Sequence, residues 1–311
     1  MAAAILGLGH HLPPLVERNG RNRPLALNPV GPSELAVPAV RTALAHAGIN
    51  ESEVDLLVFA TMSPDVTFPG AGCFLQRHLD FGTIGALDVR AQCAGFLYAM
   101  AVANDFIETG AYSSILVIGG EVHSSALDYS PRGEAVAALF GDGAGAMLLG
   151  RGGESRRIHA VTIGCEGSQH DRFWCEFPAS RQHPIRFTAE NFDAGQHFPK
   201  IDFDAVRASG LRRLPEAIST ALDQSERKAD EVDCFILSHV FPDVAAAAGA
   251  ACGVEDRRMI VPSIEHGHLT AAALPVALSQ ASADGRIGSG STVCLAAAGA
   301  GFCWGAAVVT L

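Results

Sequence analysis

An α/β fold built from two copies of one unit is what this 311-residue sequence predicts. Apolar strand-like runs alternate with helix patterns. One stretch recurs without a gap 178 residues later, and a cysteine stands where a strand run passes into a small-residue helix. Hydrophobic residues make up 49% of the chain and charged ones 18%, which supports a large close-packed core and excludes a disordered chain.

Ile5-Leu6-Gly7-Leu8-Gly9 reads as a first strand followed by a Gly-x-Gly turn. A dinucleotide site needs a third glycine and an acidic residue about 20 positions on; both are missing, so the motif is weak. Met1 to Leu6 lacks a basic flank and reads as strand rather than signal peptide. No uninterrupted apolar stretch is long enough to span a membrane. The 8 unclustered cysteines then point to free thiols in a reducing cytoplasm. Ser33-Glu34 opens an amphipathic helix with Leu35, Val37, Val40, Ala43, Leu44 and Ala47 on its apolar face and Gly48 at its end. Asp55 to Ala60 is a buried strand and Ile84 to Val89 the next. From Cys93 a small-residue helix runs through Ala101 and Ala103 to Ile107 before Gly110 stops it. Ile115 to Gly120 is another strand, and Phe140-Gly141-Asp142-Gly143-Ala144-Gly145-Ala146 is a glycine turn into a further one. Residues 151 to 210 break the pattern. Trp174, several phenylalanines, and His170, His183 and His197 crowd a segment that reads as loops and cap, shaping a substrate pocket or only covering the core.

The repeat aligns Thr42-Ala43-Leu44 through Glu53-Val54-Asp55 with Thr220-Ala221-Leu222 through Glu231-Val232-Asp233. Both copies continue into a buried strand and then Pro-Asp, at Pro64-Asp65 and Pro242-Asp243. A small slip, to 175, places Gly110 on Gly285 and Cys93 on His268. The halves are then 1–155, with Cys93, and 156–311, with His239 and His268, and an insert or cap lies at about 165–205.

A cysteine at a strand-to-helix turn sits at the positive end of a helix dipole, whose free N–H groups favour a thiolate and cradle an oxyanion. The alternative is one more buried apolar thiol. A pseudo-twofold relating the copies brings Cys93 to face His268. His239 joins them from the end of the strand Cys234-Phe235-Ile236-Leu237, where open α/β sheets place their sites. A cysteine with two histidines is a complete set for acyl transfer: a nucleophile that forms an acyl-enzyme, and imidazole donors for a developing oxyanion. The turn from Ala298 to Gly305 offers backbone N–H groups to complete an oxyanion hole with that of Cys93, or it simply lets two strands pack closely. His239 is otherwise a hydrogen-bonded supporting residue. His266-Gly267-His268 lacks the second ligand pair of a metal site, so no metal is expected. A net charge of -11 argues against a nucleic-acid partner.

Ala91-Gln92-Cys93-Ala94-Gly95-Phe96, the Phe140 to Ala146 block, His266-Gly267-His268-Leu269-Thr270-Ala271-Ala272-Ala273-Leu274-Pro275 and Gly299-Ala300-Gly301-Phe302-Cys303-Trp304-Gly305 resemble, in order, the signature blocks of the β-ketoacyl-acyl carrier protein synthase III family of thiolase-fold condensing enzymes. The resemblance covers nearly the whole chain. It implies a thiolase-like five-layered αβαβα sandwich of two duplicated halves, working as a homodimer without a cofactor. It makes Cys93 the acylated nucleophile, His239 the first triad histidine and Ala300 the source of the second oxyanion N–H beside that of Cys93. It also makes Phe68 a dimer contact reaching the partner's acyl pocket; core packing is the other reading of Phe68.

The chain departs from that family at several points. His268 stands where the family usually has asparagine, in a Gly-His-x-x-x-Ala-Ala setting closer to the elongating condensing enzymes. Ser238-His239-Val240-Phe241-Pro242 replaces the family's Pro-His-Gln-Ala-Asn block. Val244 to Cys252 carries no charge where relatives place basic residues for an acidic carrier protein. The short N-terminal region lacks the Trp- and Arg-containing segment that holds the adenine of coenzyme A, since the tryptophans are Trp174 and Trp304. Arg207, Arg212 and Arg213 are the candidate substitute docking patch, or one solvated helix face. The expectation is therefore an acyltransferase of a specialised pathway. It takes acyl groups from coenzyme A or carrier-protein phosphopantetheine onto Cys93 and condenses them, with decarboxylation, with a malonyl-type or β-keto thioester. Acyl transfer to an oxygen or nitrogen nucleophile, and a non-catalytic partner subunit of a heteromeric synthase, are the alternatives.

Overall fold

A computed structural model describes residues 3–18, 21–152 and 156–311. Met1 and Ala2 of the expected first strand, and residue 155 at the expected boundary between halves, lie outside them. The first sheet contains β1 (Ala3–His11), β2 (Leu56–Ala60), β3 (Gly85–Val89), β4 (Ser114–Glu121) and β5 (Gly143–Arg151), in the order β1-β5-β4-β2-β3. The second contains β6 (Arg157–Cys165), β7 (Cys234–Ser238), β8 (Met259–Ile260), β9 (Thr292–Gly299) and β10 (Cys303–Thr310). Its order is β6-β10-β9-β7-β8, the same topology. In each sheet the β2- or β7-centred pairs are parallel and the rest antiparallel. Register repeats as well: Leu56 pairs with Ile115 and Cys234 with Val293, their counterparts 178 residues on.

The longer helices are α1 (Pro32–Ala47), α2 (Ala71–His78), α3 (Gly95–Glu108), α4 (Phe203–Gln224), α5 (Pro242–Ala251) and α6 (Ala273–Ala283). Strand periodicity sorts side chains into layers, because alternate residues face opposite sides of a sheet. Leu57, Phe59, Leu116 and Ile118 face α1 and α2, while Val58, Ala60, Ile115 and Val117 face α3 and α6 in the middle layer. Phe235, Leu237 and Val308 face α4 and α5 on the other outside. These are the five layers αβαβα of the thiolase-like sandwich. Both faces of each sheet are covered, which is why the central strands read as continuous apolar runs. Each fully buried phenylalanine, such as Phe59 and Phe235 on those strands and Phe96 on α3, stabilises the fold by about 2 kcal/mol. Among the described residues no helix is long and apolar enough to cross a membrane.

Three expectations need correction. β1 runs straight through Gly7 and Gly9, with no Gly-x-Gly turn. There α1 crosses so closely that a Cβ on Gly7 would lie 2.1 Å from the Ala43 carbonyl oxygen, and one on Gly9 2.0 Å from that of Ala39. The second correction concerns the slip. The 3-10 turn Gln92–Ala94 before α3 and its counterpart Thr270–Ala272 before α6 keep the 178-residue offset, with φ 46° at Gln92 and 44° at Thr270. Cys93 is therefore the counterpart of Ala271, not of His268. The slip falls at the far ends of the helices, because α3 has 14 residues and α6 has 11. Third, β6 belongs to the second sheet and α4 begins at Phe203, so the cap between them is 166–202. At its neck Phe173–Trp174 pairs antiparallel with Lys200–Ile201.

Candidate active site

β3 ends at Val89, and the chain turns through Gln92–Ala94 into α3, leaving Cys93 buried between the sheets at 1% exposure. The facing turn of the second half carries His268 into the same space. His268 is held by its backbone: its N–H donates to the Leu139 carbonyl at 2.7 Å and its carbonyl accepts from Gly141 N–H at 3.4 Å. Its Nε2 lies 3.1 Å from Cys93 Sγ. The pairing expected from the sequence is present, although the register that suggested it was not the true one.

His239 follows β7 and is fully buried. Its Nδ1 lies 3.1 Å from the Phe241 N–H, which donates to it, and 3.3 Å from the Phe241 carbonyl oxygen; the shorter contact assigns the proton to Nε2. Among the described residues Nε2 finds no partner, and neither does Nδ1 of His268. Burial, then the neighbouring His239, then His123 hold His268 well below the ordinary imidazole range. His239 is itself depressed to about 4, chiefly by burial. Both rings are neutral at pH 7.

The expectation that the helix terminus lowers the Cys93 thiol is overturned. The N–H groups of Ala300 and of Cys93 itself do favour the thiolate, but complete burial outweighs them and pushes Cys93 up to about 12. Cys93 S–H then donates to His268 Nε2, which leaves the His268 proton on Nδ1. The approach of the Ala300 N–H depends on Gly299, where a Cβ would sit 2.2 Å from Cys93 Sγ. Close packing of the turn is thus against the sulfur.

Some of the surroundings were not anticipated. His123, two residues past β4, is buried with Nε2 3.0 Å from Thr270 Oγ1 and its ring 5.0 Å from that of Phe140. Phe140 in turn lies 6.0 Å from the His268 ring and 6.1 Å from Phe173 of the cap. A histidine just beyond a buried strand, the position that singled out His239, was the available signal. Asp142 of the glycine turn accepts from His123 N–H at 2.7 Å, Ser124 N–H at 3.0 Å and Ala26 N–H at 2.8 Å, so it fixes the loop that carries His123. Buried Glu121 accepts from Ser63 Oγ at 2.6 Å and Met62 N–H at 3.2 Å.

Phe68 does not belong to the core. It is 79% exposed, in the loop before α2, on the side where the outer edge of β3 is open and Leu87 is exposed. Arg207, Arg212 and Arg213 do not form a free basic patch: Arg207 pairs with Asp243, and Arg212 and Arg213 both reach Glu166. The short N-terminal region does carry arginines, on a Leu15–Arg18/Arg21–Pro24 hairpin. Arg18, Arg21 and Arg23 line a depression with Tyr129 and Phe140, and the Arg18 guanidinium lies 4.1 Å from the Tyr129 ring centre. His266 turns to Gln280 at 3.1 Å. Among the described residues no three His, Cys, Asp or Glu groups are placed to hold a metal ion.

Two family models match the chain: 3-oxoacyl-[acyl-carrier-protein (ACP)] synthase III over residues 87–167, and the C-terminal part of the same family over residues 222–311. The chain is 34% identical over 301 residues to the β-ketoacyl-[acyl-carrier-protein] synthase III of Rhodospirillum centenum, covering 95% of this chain and 89% of that protein. Among solved structures, the 3-oxoacyl-[acyl-carrier-protein] synthase III of Aquifex aeolicus superposes with TM-score 0.89 at 25% identity, covering 99% of this chain and 100% of the other. That of Pseudomonas aeruginosa superposes with TM-score 0.88 at 26% identity, covering 100% and 98%.

Proposed function

This chain belongs to the 3-oxoacyl-[acyl-carrier-protein] synthase III family of condensing acyltransferases, and from that premise we propose that it condenses a Cys93-bound acyl group with a malonyl-type or β-keto thioester. The observation that carries this reading is the position of Cys93 Sγ, 3.1 Å from His268 Nε2 and facing the Ala300 N–H. The thiol attacks a thioester carbonyl and its proton passes to His268 Nε2 as the sulfur–carbon bond forms. The tetrahedral oxyanion is held by the N–H groups of Cys93 and Ala300, and the carrier leaves as a thiol, taking the proton back. A malonyl-type thioester then loses its carboxylate as carbon dioxide, whereas a β-keto thioester, which carries none, forms its carbanion by giving an α-proton to the free Nε2 of His268. The enolate oxygen accepts from His239 Nε2–H and from the His268 ring, whose proton sits on Nε2 once the thiol proton is gone; the carbanion attacks the acyl carbon, and Cys93 leaves as a thiolate that takes a proton from solvent.

Acyl groups arrive on a phosphopantetheine arm, whose phosphate meets the arginine-bearing hairpin beside Phe140. The expected weak use of standard carriers rests on the charge-free stretch from Val244 to Cys252 and the ion-paired Arg207, Arg212 and Arg213. The open edge of β3, exposed Leu87 and exposed Phe68 support a homodimer with Phe68 entering the partner's acyl pocket. His268 in place of asparagine supports a specialised pathway. Intact-protein mass spectrometry after incubation with a panel of acyl thioesters tests the first step. Wild type should gain the acyl mass, and Cys93→Ala, whose small side chain fits the helix start and should fold, should not. Acyl gain in Cys93→Ala would move the nucleophile elsewhere. Release of carbon dioxide separates condensation from transfer to an alcohol or amine.

A further inference from the structure

Cys165 ends β6 and Cys303 begins β10, directly opposite each other in register. Their sulfurs are 3.4 Å apart. Residues paired across antiparallel strands have Cα atoms about 4.5–5.5 Å apart, inside the range of about 4.4–6.8 Å that a disulfide spans. Closing the gap asks only for small side-chain rotations. The two thiols differ in access: Cys165 is exposed and Cys303 is buried. Cys303 also underlies the loop that supplies the Ala300 N–H, since a Cβ on Gly301 would lie 2.6 Å from its sulfur. The adjoining residues already clamp that loop, Glu166 N–H donating to the Phe302 carbonyl at 2.8 Å and Phe302 N–H to the Glu166 carbonyl at 3.2 Å.

We propose that Cys165 and Cys303 form a reversible oxidation site, a dithiol that a peroxide converts to a disulfide and that then restrains the 300–303 loop. Exposed Cys165 meets the oxidant first. Its sulfur attacks a peroxide oxygen, the O–O bond breaks, and a sulfenic acid and one water result. The Cys303 sulfur attacks the sulfenic sulfur, the S–O bond breaks, and a second water carries away the oxygen with the Cys303 proton. A dithiol reductant reverses the sequence by thiol–disulfide exchange. Burial pushes Cys303 up to about 12, which suits a resolving thiol that waits for a sulfenic acid rather than one that attacks peroxide itself.

The test treats full-length protein with hydrogen peroxide, blocks remaining thiols with N-ethylmaleimide and digests without reductant. A peptide pair linked through Cys165 and Cys303 is expected, with an intact mass lower by two hydrogens, both reversed by dithiothreitol and absent from Cys165→Ser. Hydrogen exchange at amides 300–303 should slow severalfold in the linked protein and recover on reduction, a readout independent of the reaction at Cys93. Cys165 driven to sulfinic acid while Cys303 stays alkylated would overturn the site. Unchanged exchange in the linked protein would overturn the restraint on the loop.

Discussion

His268 Nε2 and Cys93 Sγ are 3.1 Å apart, both side chains buried, and burial moves their proton equilibria in opposite directions. The thiol is pushed up to about 12 and the imidazole held well below its ordinary value, so at neutral pH the proton stays on sulfur. The alkylation rate of Cys93 by iodoacetamide should therefore climb steadily from about pH 7 to about pH 10. A plateau near neutrality would reveal a preformed thiolate–imidazolium pair instead.

Replacing His268 separates its donor role from any role as a base. His268→Asn keeps a donor and should retain part of the condensing activity, followed as carbon dioxide release. His268→Ala should lose on the order of 100-fold. Acylation should still fall on Cys93 in both variants but more slowly, because neither Asn nor Ala takes the thiol proton as His268 Nε2 does, so the condensing step is read on enzyme that has already been acylated. If His268→Ala condenses normally but no longer transfers an acyl group to an alcohol or amine, the decarboxylative reading fails.

Gly299 is extended, at φ 176°, so its conformation suits any residue. What forbids a side chain is the sulfur 2.2 Å from the Cβ position. Gly299→Ala should slow acyl uptake by on the order of 100-fold while costing only about 1–3 kcal/mol of stability, measured by label incorporation and urea melts. Uptake at the wild-type rate would show that the sulfur moves freely and that the contact does not position it.

The stability of the fold should fall in mild acid. His239 has a folded value near 4 against an ordinary 6.5, so between those values the unfolded chain binds more protons and acidification favours unfolding. Its contribution is fully present above pH 6.5 and is lost as pH falls toward 4. Urea melts should show a loss on the order of 2 kcal/mol between pH 7 and pH 5 from His239, and His239→Gln should remove that share of the slope. An unaltered slope would mean that His239 is protonated or solvated in the fold.

The open edge of β3 gives the dimer its test. Light scattering should report a dimer for wild type and a monomer for Leu87→Arg, which sets a charge on that edge. Phe68→Ala should change acyl-chain preference without altering the mass of the assembly. A wild-type monomer would remove both expectations.

How much of this was legible in the sequence depended on how local the signal was. The helix from Pro32 to Gly48, the strand from Leu56 to Ala60 and their repeats announce themselves through period and capping. The meeting of Cys93 with His268 was legible from the signature blocks, although the repeat had aligned the two residues in a register the fold does not keep. What was not legible was set by distance through space. Gly7 and Gly9 look like a turn until α1 lies across them. The thiolate-friendly terminus at Cys93 looks activating until the second half closes over it and removes water. Arg207, Arg212 and Arg213 look like a free patch until Glu166 and Asp243 arrive from other segments. His123 became a site residue only once Thr270 and Phe140 were beside it.

The paired neck of the cap, Phe173–Trp174 against Lys200–Ile201, lets the chain leave the sandwich and return at one place. Residues 175–199 are thereby a cassette: their length and composition can drift or be exchanged while the strands on either side keep their register. One path inward from that neck runs from Phe173 to Phe140 and on to the His268 ring, and Phe173–Trp174 also packs against the 300–302 turn beside the sulfur. Variation in the lobe therefore meets the reacting sulfur only at its neck, through Phe140 and through the 300–302 turn, so the stretch that can vary and the strands that carry the chemistry are separate parts of the polypeptide.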